Sequence, residues 1–259
     1  MRHITLMISL MSCILLSYHA QAAKESKLSL STGYTYGDQE DDLGLETDVD
    51  IIPLSLSYKT DSWNVRISTA YLRITGPDDV FIEGYEDGTI DVFVETLDER
   101  KGWGDTFLSL YYSPAMLRGK NYKLSLGYKF KAPTGDKEQG LSSGEVDHHG
   151  IARGYYRINH IMLLGRLGYQ LVGDTDERDY NNRLYAGAGL VYIASRYYSI
   201  GAQYYAKQAS TDERDPIRTA GIMLQIRPIK NWSAGISFTK GLTDATLDQQ
   251  IGFQIRHRF

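Results

Sequence analysis

The sequence predicts an all-β chain closed into a transmembrane antiparallel β-barrel of about 12 strands, with short periplasmic turns and long extracellular loops. Three observations carry this expectation. Apolar and other residues alternate with period 2 from about residue 27 to the C-terminus. The connectors between the alternating segments are short and long in turn, as in outer-membrane barrels. Aromatic residues gather near the segment ends, where membrane interfaces favour them.

Composition narrows the classes first. The chain has 259 residues, with 20 Tyr, 25 Gly and only 6 Pro. Tyr favours strands and Gly favours turns and close backbone contacts, so the balance speaks against a helical bundle. Mean hydropathy is −0.34, and the one long apolar run is N-terminal. A polytopic helical membrane protein needs repeated runs of about 20 apolar residues.

That first run reads as a signal peptide over 1–22. Arg2 and His3 precede the apolar stretch from Ile4 to Leu16, and Ala20-Gln21-Ala22 supplies the small-x-small cleavage pattern. The mature domain is then the barrel, 23–259. Cys13 is the only cysteine and leaves with the leader, so disulfides and thiol chemistry drop out. The leader carries one Arg and no acid. It shifts the formal charge from −4 to −5, a poor balance for nucleic-acid binding.

The strands follow in order. Leu28, Leu30, Tyr34 and Tyr36 share one phase of the first; Ile52, Leu54, Leu56 and Tyr58 of the second; Trp63, Val65, Ile67 and Tyr71 of the third. Leu108, Leu110 and Tyr112 mark the fourth. In the fifth, Tyr122, Leu124, Leu126, Tyr128 and Phe130 alternate with Lys123, Ser125, Gly127, Lys129 and Lys131. The sixth, His148 to Ile158, has the weakest apolar face. Six more follow, through Leu163, Leu190, Ile200, Ile222 and Ile236 to a last one running from Leu247 through Phe253 to Phe259. Twelve strands leave five short turns: 60–62, 113–121, around Asn159-His160, Ser195-Arg196 and 228–231. The six longer loops are 37–48, 75–104, 132–147, 173–182, 207–215 and 241–246. A soluble sandwich also alternates, and the connector pattern argues for the barrel. Tyr34, Tyr36, Tyr58, Trp63, Tyr112, Tyr122, Tyr128, Tyr169 and Trp232 supply two aromatic girdles.

If the apolar phase faces lipid, the other lines a cationic lumen. It carries Arg66, Lys123, Lys129, Lys131, Arg153, Arg157, Arg166, Arg183 and Arg256, with Arg227 and Arg258, against the acids Asp105 and Asp248. Of 32 acids, 27 fall in the long loops, so the wall and the loops carry opposite charge. Such a wall favours anionic solutes. Alternatively its arginines stack on Phe107, Tyr111, Tyr155, Tyr185, Tyr197 and Tyr205, or pair with inward carboxylates. The acidic first two loops would suit divalent cations at a lipopolysaccharide surface, or would be solvated. The spacing from Asp38 to Asp42 lacks the features of a calcium loop, and no other metal motif stands out. The loop 75–104 is long enough to form a hairpin or fold inward as a plug.

Catalysis finds little support. Ser142, Ser143, Asp147, His148 and His149 lie close in sequence, but adjacent strand residues point to opposite faces. No cofactor motif is present, and the chain is read as a non-enzyme.

Two stretches carry resemblances. Gly252 to Phe259 ends in a C-terminal Phe with alternating apolar residues, and resembles the signature by which bacterial outer-membrane barrels reach their assembly machinery. His257 stands where an aromatic is more usual. The second is Lys131-Ala132-Pro133-Thr134-Gly135-Asp136, followed by Gly140-Leu141-Ser142-Ser143-Gly144 and Asp147. It resembles the bacterial outer-membrane transporter family associated with the meta-pathway of phenol degradation, with Ser142-Ser143 in place of the usual Gly-Thr. The resemblance implies a 12-stranded barrel admitting small, often aromatic or apolar, compounds. Pro133 is expected to fix a turn, Gly135 to supply an unusual backbone angle, and Asp136 to cap the turn or meet Lys129 or Lys131.

The expected protein is a monomeric barrel of the bacterial outer membrane that passes small solutes, anionic or aromatic, passively. It is surrounded by outer-membrane lipid and lipopolysaccharide and assembled through Phe259. The alternatives are a lipid-modifying barrel enzyme and a structural surface barrel with acidic loops.

Overall fold

The computed structural model describes residues 27–40, 46–76, 99–173, 180–212 and 214–259. The expected leader and the central part of the 75–104 loop, with its expected hairpin or plug, lie outside the described residues.

The strands are β1 (Lys27–Glu40), β2 (Glu46–Lys59), β3 (Trp63–Thr75), β4 (Glu99–Trp103), β5 (Thr106–Tyr112), β6 (Tyr122–Ala132) and β7 (Asp147–Ile158). They continue as β8 (Ile161–Leu171), β9 (Arg183–Ile193), β10 (Tyr198–Lys207), β11 (Ile217–Ile226), β12 (Trp232–Gly241) and β13 (Gln249–Arg258). Each pairs antiparallel with its sequence neighbours, except that β4 and β5 both pair with β3. β1 pairs with β13 from Ser29↔Arg258 to Asp38↔Gln249, which closes the ring. β4 and β5 form one stave, so the barrel has 12 staves. The β1–β13 pairing joins the two ends of the sheet, the condition for crossing a bilayer, while β4 pairs on its β3 side alone among the described residues.

Between β4 and β5 the register slips. Ser68 pairs with Phe107 and Tyr71 with Trp103, so two β3 residues face the three residues Gly104, Asp105 and Thr106. This bulge flips the side-chain phase. Trp103 faces outward and Phe107 inward although both are odd-numbered. Asp105 is left pointing into the lumen, buried. Pro53 sits inside β2 with no N–H to donate, and the β1–β2 ladder skips its position while β2–β3 stays paired there.

The outward phase is the predicted one. Ile52 is 47% exposed and Leu126 57% exposed, and all nine expected girdle aromatics are exposed. Cross-strand ring pairs join them: Trp63 with Tyr112 at 4.5 Å and Tyr71 with Trp103 at 5.8 Å. At the last strand His257 packs on Trp232 at 4.4 Å and on Phe259 at 4.7 Å, so it serves as an aromatic of the belt. The five short turns fall where expected. Asn159 (φ 52°) and Asn231 (φ 72°) take the left-handed conformation that two of them need. Both described chain ends lie at this short-turn end.

The first hairpin is longer than the sequence suggests. Asp38 pairs with Asp48 and Glu40 with Glu46, so four of the six acids assigned to the first loop stand on strands instead. The ladder continues above the Tyr34–Tyr36 ring, where no bilayer opposes charged side chains.

Candidate functional site

The lumen divides into two halves. Towards the long loops it is filled. Val49, Ile51, Ala70, Leu72, Ile74 and Phe107 point inward and bury Leu141 and Leu247 among them. Tyr111, Ile151, Tyr185, Tyr205 and Ile217 form a second apolar cluster, with Ala245 against it. Leu141, Ala245 and Leu247 come from the segments 133–146 and 242–248, which fold into the barrel. Leu247 was expected in the outward phase of the last strand. It is 0% exposed inside, because the strand begins only at Gln249 and the preceding segment turns inward.

A buried charge network sits in this filled half. Lys131 Nζ lies 2.8 Å from Asp147, 3.6 Å from Asp105 and 2.8 Å from Ser143 Oγ. Asp147 also accepts from the Gly173 N–H (2.9 Å) and from Gln170 Nε2 (3.2 Å). Asp105 accepts from the Gly135 N–H (3.1 Å). One lysine therefore ties the bulge, the segment after β6 and the segment after β8. Sequence reasoning placed Asp147 in a loop. The usable signal was its register opposite Lys131 across β6 and β7.

The Pro-Thr-Gly-Asp turn belongs to the same assembly. Thr134 Oγ1 bonds Thr106 Oγ1 (2.8 Å), and the Asp136 carboxylate accepts from the N–H groups of Glu138 (2.9 Å) and Gln139 (3.2 Å). Asp136 thus caps the turn. Gly135 has no positive φ, against expectation. It is required for space, since a Cβ there would lie 2.5 Å from the Leu141 carbonyl oxygen. The left-handed glycines are Gly140 and Gly144, further along the segment.

Towards the short turns the lumen opens. A chamber of about 360 Å³ is lined by Tyr111, Arg153, Tyr155, Leu164, Arg166 and Tyr205, among others. The Arg153 guanidinium stacks 3.3 Å from the Tyr111 ring centre and that of Arg166 4.3 Å from Tyr205. Gly127 makes the first stack possible, since a Cβ there would strike the Tyr111 ring. Below lies a vestibule of about 560 Å³ whose lining includes Lys27, Lys59, Arg66, Arg118, Lys123, Arg256 and Arg258, with Asp61 the one acidic side chain among the described residues that line it.

The expected lumen cations therefore separate. Lys129, Lys131 and Arg183 are buried in the filled half. Lys129 lies 4.9 Å from the centre of the Phe107 ring. Arg153 and Arg166 line the chamber, and Arg66, Lys123 and Arg256 the vestibule. Arg157 is exposed at the short-turn rim and donates to the Asn159 carbonyl (2.9 Å). Of the expected wall acids, Asp105 faces inward, while Asp248 lies exposed at the outer rim and accepts from the Glu40 N–H. It precedes β13 and so escapes that strand's phase. Lys59, beside a turn, was missed.

The candidate hydrolytic residues do not assemble. His148 faces outward against Tyr128 and Phe130, and His149 faces inward with its ring edge-on to Tyr185. Ser143 receives a hydrogen bond from Lys131. Among the described residues no group of three His, Cys, Asp or Glu side chains is placed to hold a metal ion.

The family described as "Putative MetA-pathway of phenol degradation" matches residues 80–259. The chain belongs to this family. The MetA-pathway match takes in β4 to β13, and with them the Lys131 network and the Pro-Thr-Gly-Asp turn. No curated protein matches the sequence. Among solved structures, an outer-membrane channel from Pseudomonas putida F1 is similar, with a TM-score of 0.66 at 14% identity over 93% of this chain and 98% of that one. The KdgM porin is similar at a TM-score of 0.53 and 10% identity, over 88% of this chain and 99% of that one. At such identities the likeness is one of fold: this MetA-pathway member shares the outer-membrane barrel architecture.

Proposed function

We propose that the protein is an outer-membrane channel passing small solutes passively, with a preference for anionic and aromatic compounds. The observation that carries this reading is the vestibule and chamber of the short-turn half, where cations and tyrosine rings face the lumen with a single acidic side chain among the described residues of the vestibule lining. Such a wall lowers the energy of an anion in the lumen and raises that of a cation. The short-turn end is the periplasmic one in this reading. Lipopolysaccharide surrounds the acidic outer strands, and Phe259 is the handle for assembly.

The test is the reversal potential of the refolded protein in a planar bilayer under a salt gradient. An anion-selective conductance that weakens or inverts on replacing Arg66, Lys123 and Arg256 by Glu supports the reading. Selectivity that those replacements leave unchanged overturns it.

The filled outer half favours a second reading, a surface barrel whose lumen stays closed. A protein that is folded by its heat-dependent gel mobility yet silent in the bilayer supports that one.

A further inference from the structure

The two lower cavities adjoin. Lys59, Asn64, Lys123 and Tyr155 line both the chamber and the vestibule. Their chemistry differs sharply. The chamber wall is made by tyrosine rings and Leu164, with Arg153 and Arg166 stacked on two of the rings, and its size comes partly from the inward-facing Gly187 and Gly189. A Cβ at Gly187 would press on the Arg166 side chain at 2.8 Å. The vestibule wall is cationic on strands β13, β1, β2, β3 and β6.

Among the described residues no carboxylate pairs with Lys59, Arg66, Lys123 or Arg256. Lys123 donates only to the Asp61 carbonyl (3.2 Å), and Arg66 Nε is buried without a hydrogen-bond partner. Like charges gathered this closely repel one another unless an anion lies between them. The chamber above them offers tyrosine rings and Leu164 as stacking surface, with the Arg153 and Arg166 guanidinium groups laid over two of those rings. Its volume falls within the range of small-molecule sites, which pair an apolar wall with a few oriented polar groups.

We propose that chamber and vestibule together form one binding site for an amphiphilic organic anion. The anionic head sits in the vestibule among Lys59, Arg66, Lys123 and Arg256. The apolar or aromatic body lies in the chamber against Tyr111, Tyr155, Leu164 and Tyr205. The ligand is held with its head towards the short-turn end. This deepens the channel reading and rests on it for the physiological role, but binding is measurable without conduction.

The test is calorimetric titration of the full-length refolded barrel in a non-ionic detergent, with empty micelles as reference. The probes are 2-naphthoate, its neutral counterpart 2-naphthylmethanol, and acetate, which has the head without the body. The site requires 2-naphthoate to bind at least tenfold more tightly than either of the others. Lys59→Glu with Lys123→Glu should remove that preference, and Leu164→Trp, which fills the chamber without changing any charge, should weaken 2-naphthoate about tenfold. Folding of each variant is checked by heat-dependent gel mobility, and Lys59→Met with Lys123→Met is the milder charge variant should the reversal fail to fold.

Equal affinity for 2-naphthoate and acetate overturns the chamber's part. Equal affinity for 2-naphthoate and 2-naphthylmethanol overturns the vestibule's part. A folded barrel that binds 2-naphthoate but conducts nothing removes the channel reading and leaves the site. Selective conductance without binding removes the site and leaves the channel.

Discussion

Lys131 Nζ lies 2.8 Å from Asp147 inside the filled half of the lumen, where neither side chain reaches solvent. A buried ion pair of this kind contributes little net stability compared with a well-packed apolar pair, because both charges are desolvated. Removing one partner is a different matter, since it strands the other charge. Lys131→Met leaves Asp105 and Asp147 facing each other without the ammonium between them. The expected loss is about 3–5 kcal/mol, read as a lower unfolding midpoint in denaturant. Adding Asp147→Asn to the same chain should restore part of it. A single variant as stable as the parent would show that the network does not hold the three segments.

Gly135 is required for space, because a Cβ there would meet the Leu141 carbonyl oxygen at 2.5 Å. Gly135→Ala should push the 133–146 segment off its seat and cost about 1–3 kcal/mol, as overpacking does. Limited proteolysis should then cut within 136–146 faster than in the parent chain. An unchanged digestion pattern would argue against a tightly seated segment.

Leu141 is 2% exposed among Val49, Ile51, Leu72, Ile74 and Phe107. Truncation to Ala should cost about 2–5 kcal/mol through lost burial and the cavity left behind. If the inward segment is what narrows the outer lumen, Leu141→Ala also raises single-channel conductance. Lower stability with unchanged conductance would place the constriction elsewhere.

At the outer rim, above the aromatic ring, the Asp38 carboxyl is pushed above its ordinary range. Burial is the main cause, followed by the charges of Asp248, Asp48 and Glu46. A raised pKa means that the folded chain binds the proton more readily than the unfolded one. The stabilising contribution is therefore present below the ordinary carboxylate pKa, about 3.9, and lost as pH rises through the raised value. Asp38→Asn should stabilise the protein at neutral pH, and the difference should vanish below about pH 3.5. A gap between the two unfolding midpoints that does not depend on pH would contradict this account.

Much of the barrel was legible because strand side chains alternate strictly. Once Leu124 and Leu126 face lipid, Lys123 and Ser125 must face the lumen, and the connector lengths assign the two ends. The errors fall where that alternation stops. Leu247 and Asp248 precede β13, so its phase does not extend to them. Asp147 opens β7 and does not end the loop before it. Trp103 and Phe107 keep the same parity in sequence but face opposite sides, because one extra residue at the bulge resets the phase.

By itself the sequence determined the strand count, the outward-facing phase and the aromatic residues near the strand ends. All of these follow from local periodicity and from residue type. Only the tertiary structure decided that the outer half is filled, that Lys131 joins Asp105 and Asp147, and that Lys59 and Arg256 share a vestibule. Those relationships link positions as far apart as β2 and β13, and they exist only once the sheet has closed. Loop residues such as Leu141 carry no periodicity to say which way they turn. Burial inside the closed barrel is what turns them inward.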